Sequence, residues 1–359
     1  GGADSSATCA IAGIMCKMVV NAMEQGNEIV MEDARRIAQV VAGWTPRDLA
    51  NKIMHTCFMG TEHSSQATTN RAAKLAGEIG TYHCASNMDH IVGSFVQTFE
   101  QMTNKRPKFE AHGGTMTEDL ALQNIQARSR MVYAYEIAQL LPWIRRGKKG
   151  GFLLVLGSAN VDESLRGYFT KYDCSSADLN PIGGISKTDL KLFLEWAGKT
   201  FSWTSLLEVV RAAPTAELRP QKAEEVGRHD ASGREIEHAQ TDEEEMGMTY
   251  DELSVFGRLR KIEKLGPYSM MCKLLALWGP GTSRSLKVAD IATKVKRFFR
   301  YYAINRHKMT TITPSYHAEN YSPDDNRYDL RQFLYPVDFT NQFNSIDKVV
   351  EDMKGLGPE

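Results

Sequence analysis

The sequence predicts an α/β protein with a doubly wound parallel sheet and helices on both of its faces. Three observations predict it. Short apolar runs ending in turn residues alternate with helical repeats along the first half of the chain. Phe152-Leu-Leu-Val-Leu156, before Gly157, is apolar on both faces, as a buried parallel strand is. Two glycine turns, Gly1-Gly2 and Gly157-Ser158, fall where such sheets collect ligands, at the carboxyl ends of strands.

In chain order, Ala7, Ile11, Ile14, Met15, Met18, Val19 and Ala22 recur at three and four positions and place one apolar stripe on a helix that begins just after the glycines. The run Thr56 to Met59 ends in Gly60 and reads as a strand; a helix follows through Arg71 and Leu75, and His83 to Ala85 starts another extended piece. Met88 to Phe99 and Glu118 to Leu141 read as helices. The stretch 221–240, charged and poor in apolar residues, reads as a mobile loop. Helical periodicity resumes at Leu253 to Leu265, Met270 to Leu277 and Val288 to Ile304, making 250–359 a helical C-terminal part.

Composition narrows the function classes. At 42% hydrophobic and 24% charged, the chain is long enough to build a proper core. Forty-three basic against 44 acidic residues leave a formal charge of −1, so no global positive field recruits nucleic acid or an anionic membrane, and anion recognition must be local. The six cysteines show no metal-ligand spacing and read as free thiols of a reduced, cytoplasmic protein. No apolar run is expected to approach the roughly 20 residues that cross a bilayer. The opening Gly-Gly-Ala-Asp-Ser-Ser, without a methionine, reads as a cut chain. Lys294-Val-Lys-Arg-Phe-Phe-Arg-Tyr-Tyr interleaves bases and aromatics, but at helical spacing it reads as core rather than as a nucleic-acid platform.

Two stretches carry chemistry. In Gly1-Gly2-Ala3-Asp4-Ser5-Ser6 a glycine turn at a helix start offers successive N–H groups to phosphate oxygens and a carboxylate to an accompanying Mg²⁺. Alone, the same residues also describe an ordinary capped turn. The second stretch, Gly157 to Lys187, is more specific: a strand ends and a turn rich in Asn, Gly and Ser delivers Glu163, Lys171, Asp178 and Lys187 toward one crevice. Outside such a motif, Lys171 and Lys187 would be solvated surface lysines.

With that stretch the chain resembles the NAD synthetase family, a branch of the ATP pyrophosphatases whose phosphate loop reads Ser-Gly-Gly-x-Asp-Ser. Further matches follow in family order: Asn124-Ile-Gln-Ala-Arg128-Ser-Arg-Met, Pro214-Thr215-Ala-Glu-Leu, Gln240-Thr-Asp-Glu, Met248-Thr-Tyr-Asp-Glu-Leu and Asn305-Arg-His307-Lys308. The tail from Thr313 to Arg331 is similar to the long, glutamine-dependent eukaryotic members rather than to the short ammonia-dependent ones. The resemblance spans nearly all of residues 1–359 as one synthetase domain. It implies an adenine-nucleotide alpha-hydrolase-like fold whose first strand, with the loop's leading serine, is missing here, and an upstream glutaminase domain that is absent from the sequence.

The resemblance also implies roles. Gly1, Gly2, Asp4, Ser5, Ser6, Ser158, Lys187 and Thr215 match ATP-contacting positions; Asp4 and Glu163 match Mg²⁺ ligands; Asp4 and Lys187 match the catalytic pair. Arg128, Lys171, Asp178, His307 and Lys308 match positions that bind deamido-NAD, although Arg128 and His307 also read as ordinary surface residues. The implied reaction adenylates the nicotinate carboxylate of deamido-NAD with ATP and lets ammonia displace AMP. Homo-oligomers are the implied assembly. Two other readings stay open: another ATP pyrophosphatase sharing Gly-Gly-x-Asp-Ser, and a truncated chain that binds nucleotide without turnover.

Overall fold

The computed structural model describes residues 1–39, 43–147, 150–212, 218, 220, 242–315 and 336–355. The expected loop 221–240 and Thr215 lie outside the described residues. The chain divides into two compact units. The first comprises Gly1–Ser158, Thr170–Ile182 and Asp189–Asp242; the second comprises Ala159–Phe169, Gly183–Thr188 and Glu243–Glu359.

The first unit begins with α1 (Ala3–Glu24), α2 (Glu28–Ala38) and α3 (Pro46–Ile53). Two parallel strands follow, β1 (His55–Gly60) and β2 (Tyr82–Asn87), paired from His55↔Tyr82 to Gly60↔Asn87, with α4 (Gln66–Ile79) as their crossover. This is the strand, helix, strand order expected from the sequence. Next come α5 (Asp89–Thr103) and the long α6 (Met116–Arg146), which starts on a capping box in which Thr115 and Glu118 bond each other's backbone N–H.

Helix α1 forms where its stripe predicted, but of the stripe only Ala7 is fully buried and the rest of the buried face is different. Met15 and Met18 are exposed, while Ala7, Ala10, Gly13 and Cys16 face the core. Small residues win because α1 lies close against its neighbours: a Cβ on Gly13 would come within 2.9 Å of Ile79 and 3.2 Å of Trp203. Helix α1 also corrects the membrane reading. Its 22 residues are long and apolar enough to cross a bilayer, because only Asp4, Lys17 and Glu24 interrupt them, yet it packs within this unit against α2, α3, α4 and α9 (Thr204–Arg211).

A second correction concerns Phe152–Leu156. The segment is extended, but only one parallel bridge forms, Leu156↔Leu179, and Phe152 and Leu154 are exposed. A ladder needs a partner over several residues, and here the pairing is short. Gly157 N donates to Leu179 O at 2.8 Å and Asp178 N to Val155 O at 2.9 Å, while Leu153 N turns to Ala138 O on α6. No described strand lies on the other edge.

The second unit contains α7 (Val161–Arg166), the start of α8 (Lys187–Phe201), all but the first residue of α10 (Asp242–Met246), then α11 (Tyr250–Lys261), α12 (Pro267–Trp278), α13 (Val288–Ile304) and α14 (Thr340–Gly355). Its core is aromatic: Phe256, Phe298 and Tyr302 pack as tilted rings at 4.8 and 5.8 Å between centroids, and Trp278 meets Phe256 edge-on. Val295, Phe298, Phe299 and Tyr302 are all buried, so the basic and aromatic stretch of α13 is packing, as its spacing predicted.

One stability prediction arises in the first unit. Arg145 Nη1 on α6 approaches His55 Nε2 on β1 at 2.8 Å; a guanidinium only donates, so that nitrogen must accept and be unprotonated. Burial, helped by the Arg145 charge, lowers the His55 pKa from 6.5 to about 4. The folded state therefore binds this proton less readily than the unfolded chain, and stability is full above pH 6.5 and falls as pH drops toward 4. His55 is half-buried, so solvent screening limits the loss to about 1–2 kcal/mol. Thermal melts between pH 7 and 4.5 check it: His55→Gln should flatten that dependence relative to the wild type.

Candidate functional site

In the first unit, α1 starts from an N-cap, Gly2, that has no side chain to cap it. Gly2 stands at the N-cap with extended backbone, Ser6 N donates to Gly2 O at 3.1 Å, and Ser5 Oγ donates to the same oxygen at 3.3 Å. The glycine peptide is held from the side, with Arg71 Nε donating to Gly1 O at 3.3 Å and Arg71 Nη2 to Thr68 Oγ1 at 3.0 Å. Asp4 sits in the first helical turn, half-buried, and Ser6 is buried. Backbone N–H groups at the positive end of a helix can form a cradle for an anion.

The second glycine turn meets this cradle. Thr8 Oγ1 on α1 donates to Gly157 O at 3.3 Å, so Ser158 stands beside the start of α1. The structure thus brings Gly1, Gly2, Asp4, Ser5, Ser6 and Ser158 together within one unit. The same extended segment leads back to Asp178, whose Oδ2 accepts from Val155 N at 2.8 Å and whose Oδ1 accepts from the Tyr135 hydroxyl at 3.2 Å. Arg128 and Lys171 are also neighbours: Arg128 Nε donates to the Lys171 carbonyl at 2.9 Å, and the Lys171 ammonium lies 5.2 Å from the Tyr172 ring centre. Asp178 thus borders the 152–158 segment, while Arg128 and Lys171 neighbour each other.

The second unit assembles the remaining residues. Helix α7 is capped by Asn160, whose Oδ1 accepts from Glu163 N at 3.0 Å. Val161 N donates to Ile185 O at 3.1 Å, and Lys187 N to Asp162 Oδ2 at 2.8 Å, which fixes the start of α8 against α7. As a result Lys187, only 3% exposed, places its ammonium 3.4 Å from Glu163 Oε1. The Tyr250 hydroxyl donates to the same oxygen at 3.2 Å, and the Lys187 ammonium lies 5.2 Å from the Tyr250 ring centre.

Lys308 serves the other end of α7. Its ammonium donates to the carbonyls of Gly167 at 2.8 Å and Phe169 at 2.6 Å, as basic groups do at helix C-termini. Gly167 is left-handed there, at φ +73°, and a Cβ on it would lie 2.4 Å from that of Asn305, whose amide donates to Arg166 O. Gly167→Ala should cost about 1–3 kcal/mol, seen as a lowered melting temperature; an unchanged melt would contradict this packing. His307, half-buried, is next to Lys308, with its carbonyl accepting from Thr310.

The sequence reading gave no role to Thr8, Arg71, Asn160, Asp162 or Tyr250. Asn160 and Asp162 lie inside the Gly157–Lys187 motif and Tyr250 inside Met248–Leu253, so motif membership was the available signal. Nothing in the sequence singled out Arg71. Cysteine chemistry plays no part in this arrangement: burial raises Cys9 to about 12 and Cys16, Cys57 and Cys174 to about 11, which keeps these thiols protonated.

The family model described as NAD synthase matches residues 1–266. A glutamine-dependent NAD(+) synthetase of Saccharomyces cerevisiae is 54% identical over 354 residues, 98% of this chain and 47% of that protein. The one from Homo sapiens is 51% identical over 361 residues, 100% of this chain and 49% of that protein. The chain therefore spans about half the length of the curated relatives it matches. A crystal structure of a glutamine-dependent NAD(+) synthetase from Cytophaga hutchinsonii superposes with a TM-score of 0.70 at 22% identity, covering 97% of this chain and 51% of that one, so the two share a fold. With the family model matched over residues 1–266, and relatives over half identical along nearly its whole length, the chain belongs to the NAD synthase family.

Proposed function

We propose that this chain, residues 1–359 as one synthetase domain, amidates deamido-NAD to NAD, using ATP to form an acyl-adenylate and ammonia to release AMP. The observation that carries the reading is the buried Lys187 ammonium beside Glu163, in a family whose name states the product. A carboxylate is a poor electrophile because its leaving group would be oxide. Adenylation replaces that oxide with AMP.

In this reading the N-terminus of α1, with Gly1, Gly2, Ser5 and Ser6, cradles the phosphates of ATP, and Ser158 and Thr215 contribute to the same nucleotide. Arg128 and Lys171 bind the pyrophosphate and carboxylate of deamido-NAD, with Asp178, His307 and Lys308 lining that substrate. A carboxylate oxygen of the nicotinate ring attacks the α-phosphorus, the bond from that phosphorus to the α,β-bridging oxygen breaks, and pyrophosphate leaves with the bridging oxygen. Lys187 neutralises the negative charge that accumulates on the departing group. Ammonia then attacks the acyl carbon, AMP departs with the activating oxygen, and a proton is lost from nitrogen to give the amide.

Asp4 and Glu163 would hold Mg²⁺. The fit is chemical: both are hard oxygen donors, and Glu163 Oε1 already draws an ammonium to 3.4 Å. When bound, the ion shields phosphate charge and orients the triphosphate. The ammonia is released from glutamine by a glutaminase domain of the same polypeptide, a proposal supported by the relatives' printed names. A homo-oligomer in the cytoplasm completes the proposal; Phe95, Phe99 and Met102 on α5 and Leu120 on α6 are exposed apolar side chains of the kind a second copy can cover.

The test mixes the chain with ATP, Mg²⁺, deamido-NAD and ammonium and separates the products. NAD and AMP in equal amounts are expected. ADP in place of AMP, or no NAD, would contradict the reading.

A further inference from the structure

Residues 163, 187 and 250 are far apart in sequence, yet each is pinned by its backbone and all meet at one carboxylate oxygen. Glu163 is fixed by the Asn160 cap and Lys187 by Asp162. Tyr250 is fixed most firmly. It opens α11 inside a capping box in which Thr249 N donates to Glu252 Oε2 at 3.1 Å and Glu252 N to Thr249 Oγ1 at 3.2 Å. Lys294 on α13 bonds the same Glu252 oxygen at 2.8 Å, and Tyr250 N donates to Glu243 Oε1 at 2.9 Å. A tyrosine needed only to fill the core has no use for a hydroxyl aimed at the carboxylate that the lysine also approaches.

We propose that Tyr250 is a positioning residue that lets Glu163 and Lys187 do two separate tasks: its hydroxyl orients the Glu163 carboxylate, and its ring holds the Lys187 ammonium. The inference rests on the reading above in which Glu163 binds the divalent cation of ATP and Lys187 carries charge on the departing pyrophosphate. Those tasks conflict in the arrangement seen, because the ammonium sits 3.4 Å from the oxygen whose carboxylate would take the cation. A divalent cation on Glu163 repels the ammonium. The ring face, 5.2 Å away and electron-rich, still attracts the Lys187 ammonium in that case, while the hydroxyl, at 3.2 Å, keeps the carboxylate from rotating.

The experiment compares the wild-type chain with Tyr250→Phe and Tyr250→Leu in three measurements: the melting temperature, binding of Mn²⁺ with ATP by electron paramagnetic resonance, and the Mg²⁺ dependence of NAD formation. Tyr250→Phe keeps the ring and its packing. It is expected to melt within a few degrees of the wild type, to bind Mn²⁺ about tenfold more weakly, and to need about tenfold more Mg²⁺ for half-maximal rate, with a smaller fall in kcat. Tyr250→Leu also loses the ring and should lower kcat at saturating Mg²⁺ well below that of the phenylalanine variant. Should the leucine variant fail to fold, Tyr250→Phe decides alone. Mn²⁺ affinity and Mg²⁺ dependence equal to wild type in Tyr250→Phe would overturn the proposal and leave the proposed function standing. A wild-type chain that neither binds Mn²⁺ with ATP nor forms NAD would overturn both.

Discussion

Replacing Lys187 with methionine should lower kcat/KM for NAD formation about 10²- to 10³-fold, the loss expected when one preorganised charge is removed from a developing anion. The side chain is 3% exposed and its ammonium faces Glu163 and the Tyr250 ring, so it is held for a purpose rather than solvated. Methionine matches its length and leaves the α7–α8 contact through Lys187 N intact. The cost in melting temperature should be a few degrees, because Glu163 keeps the Tyr250 hydroxyl but loses its cation. ATP binding should weaken far less than catalysis, since the charge is needed as pyrophosphate separates. A variant that turns over within a few-fold of wild type would remove Lys187 from the chemistry.

Glu163→Gln is the second large effect. The amide retains an oxygen for the Tyr250 hydroxyl but offers no negative charge to a divalent cation or to Lys187. The expected result is a loss of about 10²-fold or more in kcat/KM, only partly recovered at high Mg²⁺. Because the two residues share one contact, their effects should not add. The Lys187→Met, Glu163→Gln double variant should be little worse than the poorer single one, as groups acting as a unit behave. Steady-state rates over a Mg²⁺ series for the four proteins measure this directly; additive losses would mean that the pair does not act as a unit.

The sequence made much of this legible, for identifiable reasons. β1, α4 and β2 were readable because apolar runs at Thr56–Met59 and His83–Ala85 are bounded by Gly60 and by a 3.6-residue repeat. The Gly157–Lys187 motif carried Glu163 and Lys187, and the structure places both on one oxygen contact. The buried face of α1 was not legible, since apolar size pointed to Met15 and Met18 whereas close packing selects Gly13 and Ala10. The 152–156 segment misled for a related cause: apolar residues on both faces predict burial, but burial depends on partners that a local pattern does not contain. Tyr250 was visible as a motif residue but its role was not, because its contacts reach 63 and 87 positions back along the chain to Lys187 and Glu163.

The central claim is the acyl-adenylate, and isotope transfer tests it most directly. Deamido-NAD labelled with ¹⁸O in both oxygens of its nicotinate carboxylate is converted by the chain with ATP, Mg²⁺ and ammonium, and the AMP is analysed by mass spectrometry. If that carboxylate attacks the α-phosphorus, the AMP carries one ¹⁸O and the amide of NAD keeps the other. Unlabelled AMP alongside labelled NAD would contradict the account.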